Sequence, residues 1–256
     1  MTLLIDVGNS SIKWAQYNSD GLLQMQQQSY PEETSSEFFI ECWSDLEKPK
    51  NILVSCVAGK TVWQTLVKAC EKLWGIKAEK VTSEKKGFGL VNAYEKASDL
   101  GSDRWCGMIG AHQETDTAYI LIDSGSALTI DVVTESGEHL GGYILPGLDM
   151  MKKSLGLQTA QVKIKQLSDK KPLLLPATST TGCVDAAVHL STIKLIESVI
   201  KEQQSQRIKV TCFLTGGNAD LISGLLAYKC VIMPDIVLRG LAYISENYFS
   251  NGVIEK

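Results

Sequence analysis

Two short stretches of this chain combine a carboxylate, a glycine and small polar side chains in the same order. The first contains Asp6-Val7-Gly8-Asn9-Ser10, and the second contains Asp123-Ser124-Gly125-Ser126. In each, an apolar strand ends at the aspartate, and a glycine follows that can bring backbone N–H groups close to a ligand. Because N–H and hydroxyl donors suit phosphate oxygens, the pattern predicts two phosphate-handling hairpins.

Either stretch alone is also compatible with an Asx-type turn that closes an ordinary β-hairpin. Two copies separated by roughly half a chain instead favour a duplicated domain, with a nucleotide held in the cleft between the halves. The chain has no G-x-x-x-x-G-K-[ST] sequence. A bound nucleotide would therefore use the two hairpins and not a P-loop.

Two further stretches carry groups that suit a ligand. Asp103 and Arg104 follow Gly101-Ser102 at a predicted helix start, where unpaired N–H groups and the helix dipole favour anions. A helix cap beside a surface arginine is the alternative interpretation. The turn Thr215-Gly216-Gly217 follows a buried strand and would let the backbone approach a flat ligand such as a nucleobase, although a tight β–α turn would have the same sequence.

The surrounding segments alternate between strands and helices. Apolar alternation predicts a three-stranded meander near the start of the chain and a second one from Ala118 to Leu145. The strands of the first meander are predicted at Leu3–Ile5, Ser11–Tyr17 and Gly21–Met25. Later segments are predicted as a strand at Asn51–Val57, a helix at Thr61–Leu73, loops at Phe88–Tyr94 and Lys163–Pro176, a helix from Cys183 to about Gln203, a strand at Lys209–Leu214 and a final helix from Pro234.

Composition excludes several classes of protein. The 256 residues carry a net charge of −4, whereas nucleic-acid binding needs a concentrated basic face, so we expect no nucleic-acid partner. The seven cysteines form no C-x-x-C pair and the three histidines are dispersed, which predicts reduced thiols and no zinc site. No apolar run has transmembrane length, and Met1 leads directly into the strand that carries Asp6. We therefore expect a cytoplasmic protein with no signal peptide and no membrane partner.

Five motifs, in order along the chain, resemble those of the type III pantothenate kinases, a family of the sugar kinase, Hsp70 and actin superfamily. They lie at Asp6–Ser10, Gly101–Trp105, Asp123–Asp131, Gly141–Gly147 and Thr215–Gly217. The resemblance implies an α/β fold of two ribonuclease-H-like (actin-like ATPase) domains with mixed sheets and a nucleotide cleft between them. It places the domains at residues 1–115 and 116–256, and it implies a homodimer.

The resemblance also implies the residues of the site. The implied ATP-binding residues are Asp6, Val7, Gly8, Asn9, Ser10, Ser11, Ile12, Lys13 and Ser126. Asp6 is implied to hold Mg²⁺ with the ATP, and Asp123 to hold the monovalent cation, K⁺ or NH₄⁺. The implied pantothenate pocket consists of Tyr94, Gly101, Ser102, Asp103, Arg104 and Thr181. Asp103 is the implied general base, and Arg104 either holds the pantothenate carboxylate or orients Asp103.

The implied reaction is ATP-dependent phosphorylation of pantothenate to 4'-phosphopantothenate, the first step of coenzyme A biosynthesis. A regulatory protein is the alternative, because some relatives were first noticed as accessory factors for transcription. The intact carboxylates of Asp6, Asp103 and Asp123 favour an active kinase. Another small-molecule kinase of the superfamily would keep the two hairpins but would not need the Gly101–Arg104 motif.

Overall fold

A computed structural model describes residues 1–31, 33–158, 174–205 and 209–250. The chain divides into two compact units. The first contains Met1–Glu114 together with the chain from Asp235 onwards, and the second contains Thr115–Pro234. Within the described residues, no helix combines the length and the apolar character that crossing a lipid bilayer requires.

The first unit is built on a mixed sheet of six strands. These are β1 (Thr2–Val7), β2 (Ser11–Asn18), β3 (Gly21–Leu22), β4 (Gln26–Ser29), β5 (Asn51–Cys56) and β6 (Glu79–Lys80). Their order is β3-β2-β1-β5-β6, with β4 also paired to β2. The β1–β2 pair is antiparallel, whereas β1–β5 and β5–β6 are parallel. A separate ribbon is formed by β7 (Lys86–Gly87) and β8 (Leu90–Val91).

Helices supply the rest of the first unit's core. They are α1 (Ser36–Trp43), α2 (Gly59–Trp74), a 3₁₀ turn at Ala97–Asp99, α3 (Ser102–His112) and, from the far end of the chain, α7 (Ile236–Ser250). Phe39, Trp43 and Trp74 stack at centroid distances of 5.4 and 6.0 Å, beside the buried Leu3 and Ile5 of β1. This aromatic stack anchors α1 and α2 to the sheet, because buried aromatic pairs stabilise beyond the area they bury.

The contact between α3 and α7 is a direct approach of two backbones. A Cβ atom added at Gly240 would lie 1.8 Å from the carbonyl oxygen of Cys106. One added at Gly110 would lie 2.2 Å from the carbonyl oxygen of Ile236. Glycine at both positions therefore permits the helices to touch, and α3 is buried along nearly its whole length from Arg104 to Ala111.

The second unit has a five-stranded mixed sheet. Its elements are β9 (Ala118–Ser124), β10 (Ala127–Val133), β11 (His139–Pro146), α4 (Leu148–Gln158), α5 (Thr180–Ser205), β12 (Val210–Thr215), α6 (Ala219–Ser223) and β13 (Val231–Ile232). The order is β11-β10-β9-β12-β13, with an antiparallel meander followed by two parallel strands. This is the same arrangement as in the first unit, which confirms the predicted α/β fold with two mixed sheets.

The structure corrects three sequence predictions. The single strand predicted at Gly21–Met25 is replaced by β3 and β4, because the chain leaves β2 at Leu23 and pairs with it again through the polar segment Gln26–Ser29. The predicted loop at Phe88–Tyr94 contains the short strand β8. The predicted second domain, 116–256, is wrong at its end, because α7 packs on α3 in the first unit. Most of the predicted loop at Lys163–Pro176 lies outside the described residues.

We predict that Gly240→Ala destabilises the protein. The new methyl group would meet backbone that no side-chain rotation can move, and overpacking of this kind costs typically about 1–3 kcal/mol. That cost exceeds the helix preference of about 0.5–1 kcal/mol that alanine gains over glycine. Because the contact is with backbone, we take an overpacking cost of about 2–3 kcal/mol. After the helix gain is subtracted, denaturant unfolding should show a free energy of unfolding lower by about 1–2 kcal/mol. Gly217→Ala is the matched control, because nothing lies within 4 Å of its added Cβ, and equal stability of the two variants would contradict the prediction.

Candidate active site

The first Asp-x-Gly stretch forms the tight connection between β1 and β2. Asp6 and Lys13 are paired in register on the two strands, and the Gly8 N–H donates to the Ser11 carbonyl at 3.0 Å to close the turn. Asn9 and Ser10 are exposed at its tip. Val7 and Ile12 are fully buried in the core, so the side chains of these two predicted ATP-binding residues are not available to a ligand.

Tyr30 holds this hairpin from outside it. Its backbone N–H donates to the Ser10 carbonyl at 3.4 Å, and its hydroxyl donates to the Gly8 carbonyl. Burial, followed by the nearby Cys56 and Asp6, raises the pKa of Tyr30, so the hydroxyl remains a proton donor. Two loop carbonyls are thus fixed by one residue, which no motif in the sequence had indicated.

The Gly101–Arg104 motif begins α3 beside this hairpin. The Ser102 hydroxyl accepts from the Cys56 N–H at 3.2 Å and lies 3.2 Å from the Ser55 hydroxyl. Ser55 is the register partner of Asp6 on the neighbouring parallel strand. The start of α3 is therefore attached at the carboxyl ends of β1 and β5, where the hairpin also begins.

Asp103 folds back over the start of its helix. The Arg104 N–H donates to Asp103 Oδ1 at 2.8 Å, and a Cβ atom at Gly101 would lie 2.5 Å from the same oxygen. Glycine at 101 is what leaves room for this carboxylate. Burial, then the charges of Asp6 and Asp103, raise the pKa of Cys106 well above its usual value. The two predicted functional carboxylates thus lie near the same buried thiol.

Arg104 is a buried cation engaged with Tyr94. Its Nη1 donates to the Tyr94 hydroxyl at 2.8 Å, and its guanidinium lies 5.6 Å from the centre of the Tyr94 ring. Arg104 is buried, with only 7% of the residue's surface exposed. A guanidinium in such a place suits bidentate recognition of a carboxylate.

The position of Tyr94 depends on Asn92, which sequence reasoning missed. Asn92 is fully buried, accepts from the Tyr94 N–H at 2.9 Å and donates to the carbonyls of Glu84 and Ala97 at 3.2 and 3.3 Å. Only three-dimensional contacts reveal this role, because an asparagine in a polar loop carries no distinctive pattern.

In the second unit, two segments pack against the other Asp-x-Gly hairpin. A Cβ atom at Gly147 would lie 2.4 Å from the Gly125 carbonyl oxygen, and one at Gly216 would lie 2.5 Å from Asp123 Oδ1. Gly216 also has a φ of +90°, which favours glycine. Asn218 donates to the Ser124 carbonyl from its N–H at 3.1 Å and from its side chain at 3.3 Å. The Thr215–Gly217 turn therefore rests directly on the Asp123 loop.

Asp131, the last aspartate of the second motif, has a structural position. Its Oδ1 lies 2.9 Å from Nε2 of His139, and both side chains are buried. The pair joins β10 to β11 where their register shifts between Val132 and Val133.

The predicted site residues are divided between the units. Asp6–Lys13, Tyr94 and Gly101–Arg104 belong to the first, whereas Asp123, Ser126 and Thr181 belong to the second. Thr181 lies in the first turn of α5, half-buried. Its predicted role in the pantothenate pocket stays a prediction.

A second oxygen-bearing side chain lies on the strand next to Asp123. Thr215 pairs in register with Asp123, and its buried hydroxyl has no hydrogen-bond partner within the described chain. Across the same residues, no three His, Cys, Asp or Glu side chains converge as a metal cage. Carboxylate and hydroxyl oxygens are the ligands that hard cations prefer, so these two residues fit the predicted cation.

Comparisons with known proteins agree on one family. A sequence profile of the family described as type III pantothenate kinase matches residues 2–202. The type III pantothenate kinase of Nitrosococcus oceani is 32% identical over 253 residues, covering 96% of this chain and 94% of that protein.

Two solved structures share the fold. A Campylobacter jejuni protein assigned to the Baf family of transcriptional activators has a TM-score of 0.60 at 22% identity, covering 96% of this chain and 98% of that one. The activator of 2-hydroxyisocaproyl-CoA dehydratase from Clostridium difficile, solved with bound ADPNP, has a TM-score of 0.55 at 12% identity, covering 100% and 98%. At these identities the two structures support the fold alone. The profile match and the 32% identity over nearly the full length show that this chain belongs to the type III pantothenate kinase family.

Proposed function

We propose that this chain transfers the γ-phosphoryl group of ATP to the primary hydroxyl of pantothenate, with Asp103 as general base and with a requirement for a monovalent cation. Membership of a kinase family supports phosphoryl transfer to pantothenate. The single observation that carries the finer proposal is the attachment of the Gly101–Arg104 motif beside the Asp6 hairpin through Ser102. This attachment supports the proposal, because it holds the helix start that carries Asp103 at the strand end next to Asp6.

The proposed step needs one proton acceptor and a stabilised phosphoryl group. Asp103 takes the proton from the pantothenate hydroxyl while that oxygen forms a bond to the γ-phosphorus, and the bond to the ADP oxygen breaks. Asn9, Ser10, Lys13 and Ser126 supply donors and positive charge to the phosphates. Mg²⁺ bound with ATP would neutralise further phosphate charge, and Asp6 is the residue that would hold it.

The geometry of Arg104 favours one of its two proposed roles. Its guanidinium is buried and is held in place by the hydroxyl and the ring of Tyr94, and a fixed, buried guanidinium suits bidentate binding of a carboxylate. We therefore assign the guanidinium to the pantothenate carboxylate. Tyr94 and Asn92 would then set the position of that cation.

The test is an ADP-release assay with Mg-ATP and pantothenate, in which Asp103→Asn should lose at least about 100-fold in kcat, the scale of general-base catalysis. Asp99→Asn is the matched control, because Asp99 is a nearby exposed carboxylate that pairs with the exposed Lys96. Nucleotide binding by Asp103→Asn, measured by calorimetry, should be retained. Near-normal turnover of this variant would reject the general base, and wild-type protein without pantothenate-dependent turnover would reject the function.

The cation assignment makes a separate prediction for Asp123. Wild-type turnover should require K⁺ or NH₄⁺, and Asp123→Asn should raise the K⁺ concentration needed for half-maximal rate, because a neutral amide holds a cation less strongly than a carboxylate. Asp116→Asn, an exposed aspartate of the same unit, is the control. Equal K⁺ dependence in wild type and Asp123→Asn would remove the assignment.

We also propose a homodimer. Besides the family resemblance, the second unit exposes apolar side chains on β11 and α4, among them Leu140, Tyr143, Ile144 and Met150. Exposed apolar groups of this extent are typical of protein contacts. Light scattering should give about twice the chain mass of 28.0 kDa, and a mass equal to one chain at assay concentration would contradict the dimer.

A further inference from the structure

Two cysteines of the second unit lie side by side, one on β12 and one directly before β13. The Sγ atoms of Cys212 and Cys230 are 2.8 Å apart, which is about 0.8 Å more than the covalent bond of a disulfide. Both are free thiols. We propose that this pair is a modification site, at which oxidation by a hydroperoxide produces a reversible disulfide between Cys212 and Cys230.

The backbone already has the geometry that the bond needs. β12 and β13 are parallel, with Phe213 opposite Val231 and Leu214 opposite Ile232. One residue earlier, the same register places Cys212 opposite Cys230. Neighbouring strands lie about 4.8 Å apart, and disulfides join Cα atoms separated by about 4.4–6.8 Å. The register is therefore compatible with a disulfide between these two residues.

The surroundings place the two thiols on the same, apolar side of the sheet. Cys212 belongs to the buried cluster of Ile120 and Leu214, and Cys230 packs against that cluster while remaining half-buried. Phe213, the residue between Cys212 and Leu214, points to the opposite face of the sheet, where its ring contacts Tyr119 at a centroid distance of 6.1 Å. The side chains of Cys212 and Cys230 are thus confined to one layer.

The two thiols differ in their readiness to ionise. The hydrogen bond within the pair lowers the pKa of Cys230 despite its burial, and it raises the pKa of Cys212 together with burial. Cys212 is 6% exposed, whereas Cys230 is the more accessible of the two. Because the thiolate is the nucleophile, we expect Cys230 to react with the peroxide. Cys212 is then the resolving cysteine, which attacks the oxidised sulfur of Cys230.

The chemistry balances with hydrogen peroxide as the oxidant. The Cys230 thiolate attacks one peroxide oxygen, the O–O bond breaks, and the sulfenic acid of Cys230 and hydroxide form. Cys212 then attacks the Cys230 sulfur, the S–S bond forms and the S–O bond breaks. The displaced hydroxide takes the Cys212 proton. Overall, two thiols and one peroxide give one disulfide and two waters, and a dithiol reductant reverses the change.

The bond would have a defined structural effect. β12 leads directly to Thr215 and Gly216, the turn that rests on the Asp123 loop. A disulfide would fasten this strand to the edge strand β13, which has only two residues and is followed by the bond from Met233 N–H to the Leu214 carbonyl at 2.9 Å. Oxidation should therefore raise the melting temperature of the protein by several degrees, because the closed segment constrains the unfolded chain.

The experiment uses the full chain. Reduced protein is treated with hydrogen peroxide under native conditions, free thiols are alkylated, and the protein is digested without reductant for mass spectrometry. We expect a linked peptide pair joining Cys212 to Cys230, lighter by two hydrogens than the two thiol peptides and lost after dithiothreitol treatment. If both cysteines remain alkylated as in untreated protein, or are oxidised without becoming linked, the proposal is overturned.

Matched variants make the assignment specific. Cys230→Ser should abolish the linked peptide pair, and Cys212 should remain a free thiol that is alkylated. Cys183→Ser should leave the linked pair unchanged, because Cys183 is exposed and hydrogen-bonds to the Ala177 carbonyl instead. Linkage of Cys212 to another cysteine in Cys230→Ser would overturn the pairing. The mass measurement on wild-type protein does not depend on either variant folding or on the identity of the phosphoryl acceptor.

Discussion

The first unit depends on the direct contact of α3 with α7. Where the Cys106 carbonyl meets Gly240 there is no space for a side chain, so the two helices share one buried interface. α3 has almost no exposed face, and its first turn carries Ser102, Asp103 and Arg104. The candidate acceptor residues are therefore held at one end by hydrogen bonds to β5 and along their helix by a segment from the far end of the chain.

In the second unit, turns and not helices hold the proposed ligand-binding carboxylate in place. Gly147 and Gly216 bring two backbone segments onto the Asp123 hairpin at distances that any Cβ atom would block. Asn218 then fixes one of these segments through two hydrogen bonds to a single carbonyl. In both units, the proposed ligand-binding carboxylate is set by close backbone approach, and glycine is needed because of packing as much as because of flexibility.

Sequence patterns predicted the parts of the structure that local order determines. The alternation around Asp6 and Asp123 indicated both hairpins, and helical spacing indicated α2, because burial on one face leaves a regular pattern. The hydroxyl residues before Cys183 indicated the start of α5. The same reasoning missed β4, whose four residues are all polar, and it assigned α7 to the wrong unit because its partner lies more than a hundred residues away. Tyr30, Asn92 and Asn218 were missed for a related reason: each acts through two or three hydrogen bonds to residues distant in sequence or in irregular loops, and such bonds leave no periodic pattern.

The placement of α7 also has a consequence for how the protein is made. The second unit is continuous in sequence and is complete at Pro234, whereas the first remains open until the ribosome has added Gly240. At about 5–20 residues per second, the interval between the end of α3 and Gly240 lasts on the order of 6–26 s. During that time the apolar surface of α3 is not yet covered by α7. Chaperones would therefore be needed mainly to shield the first unit during synthesis.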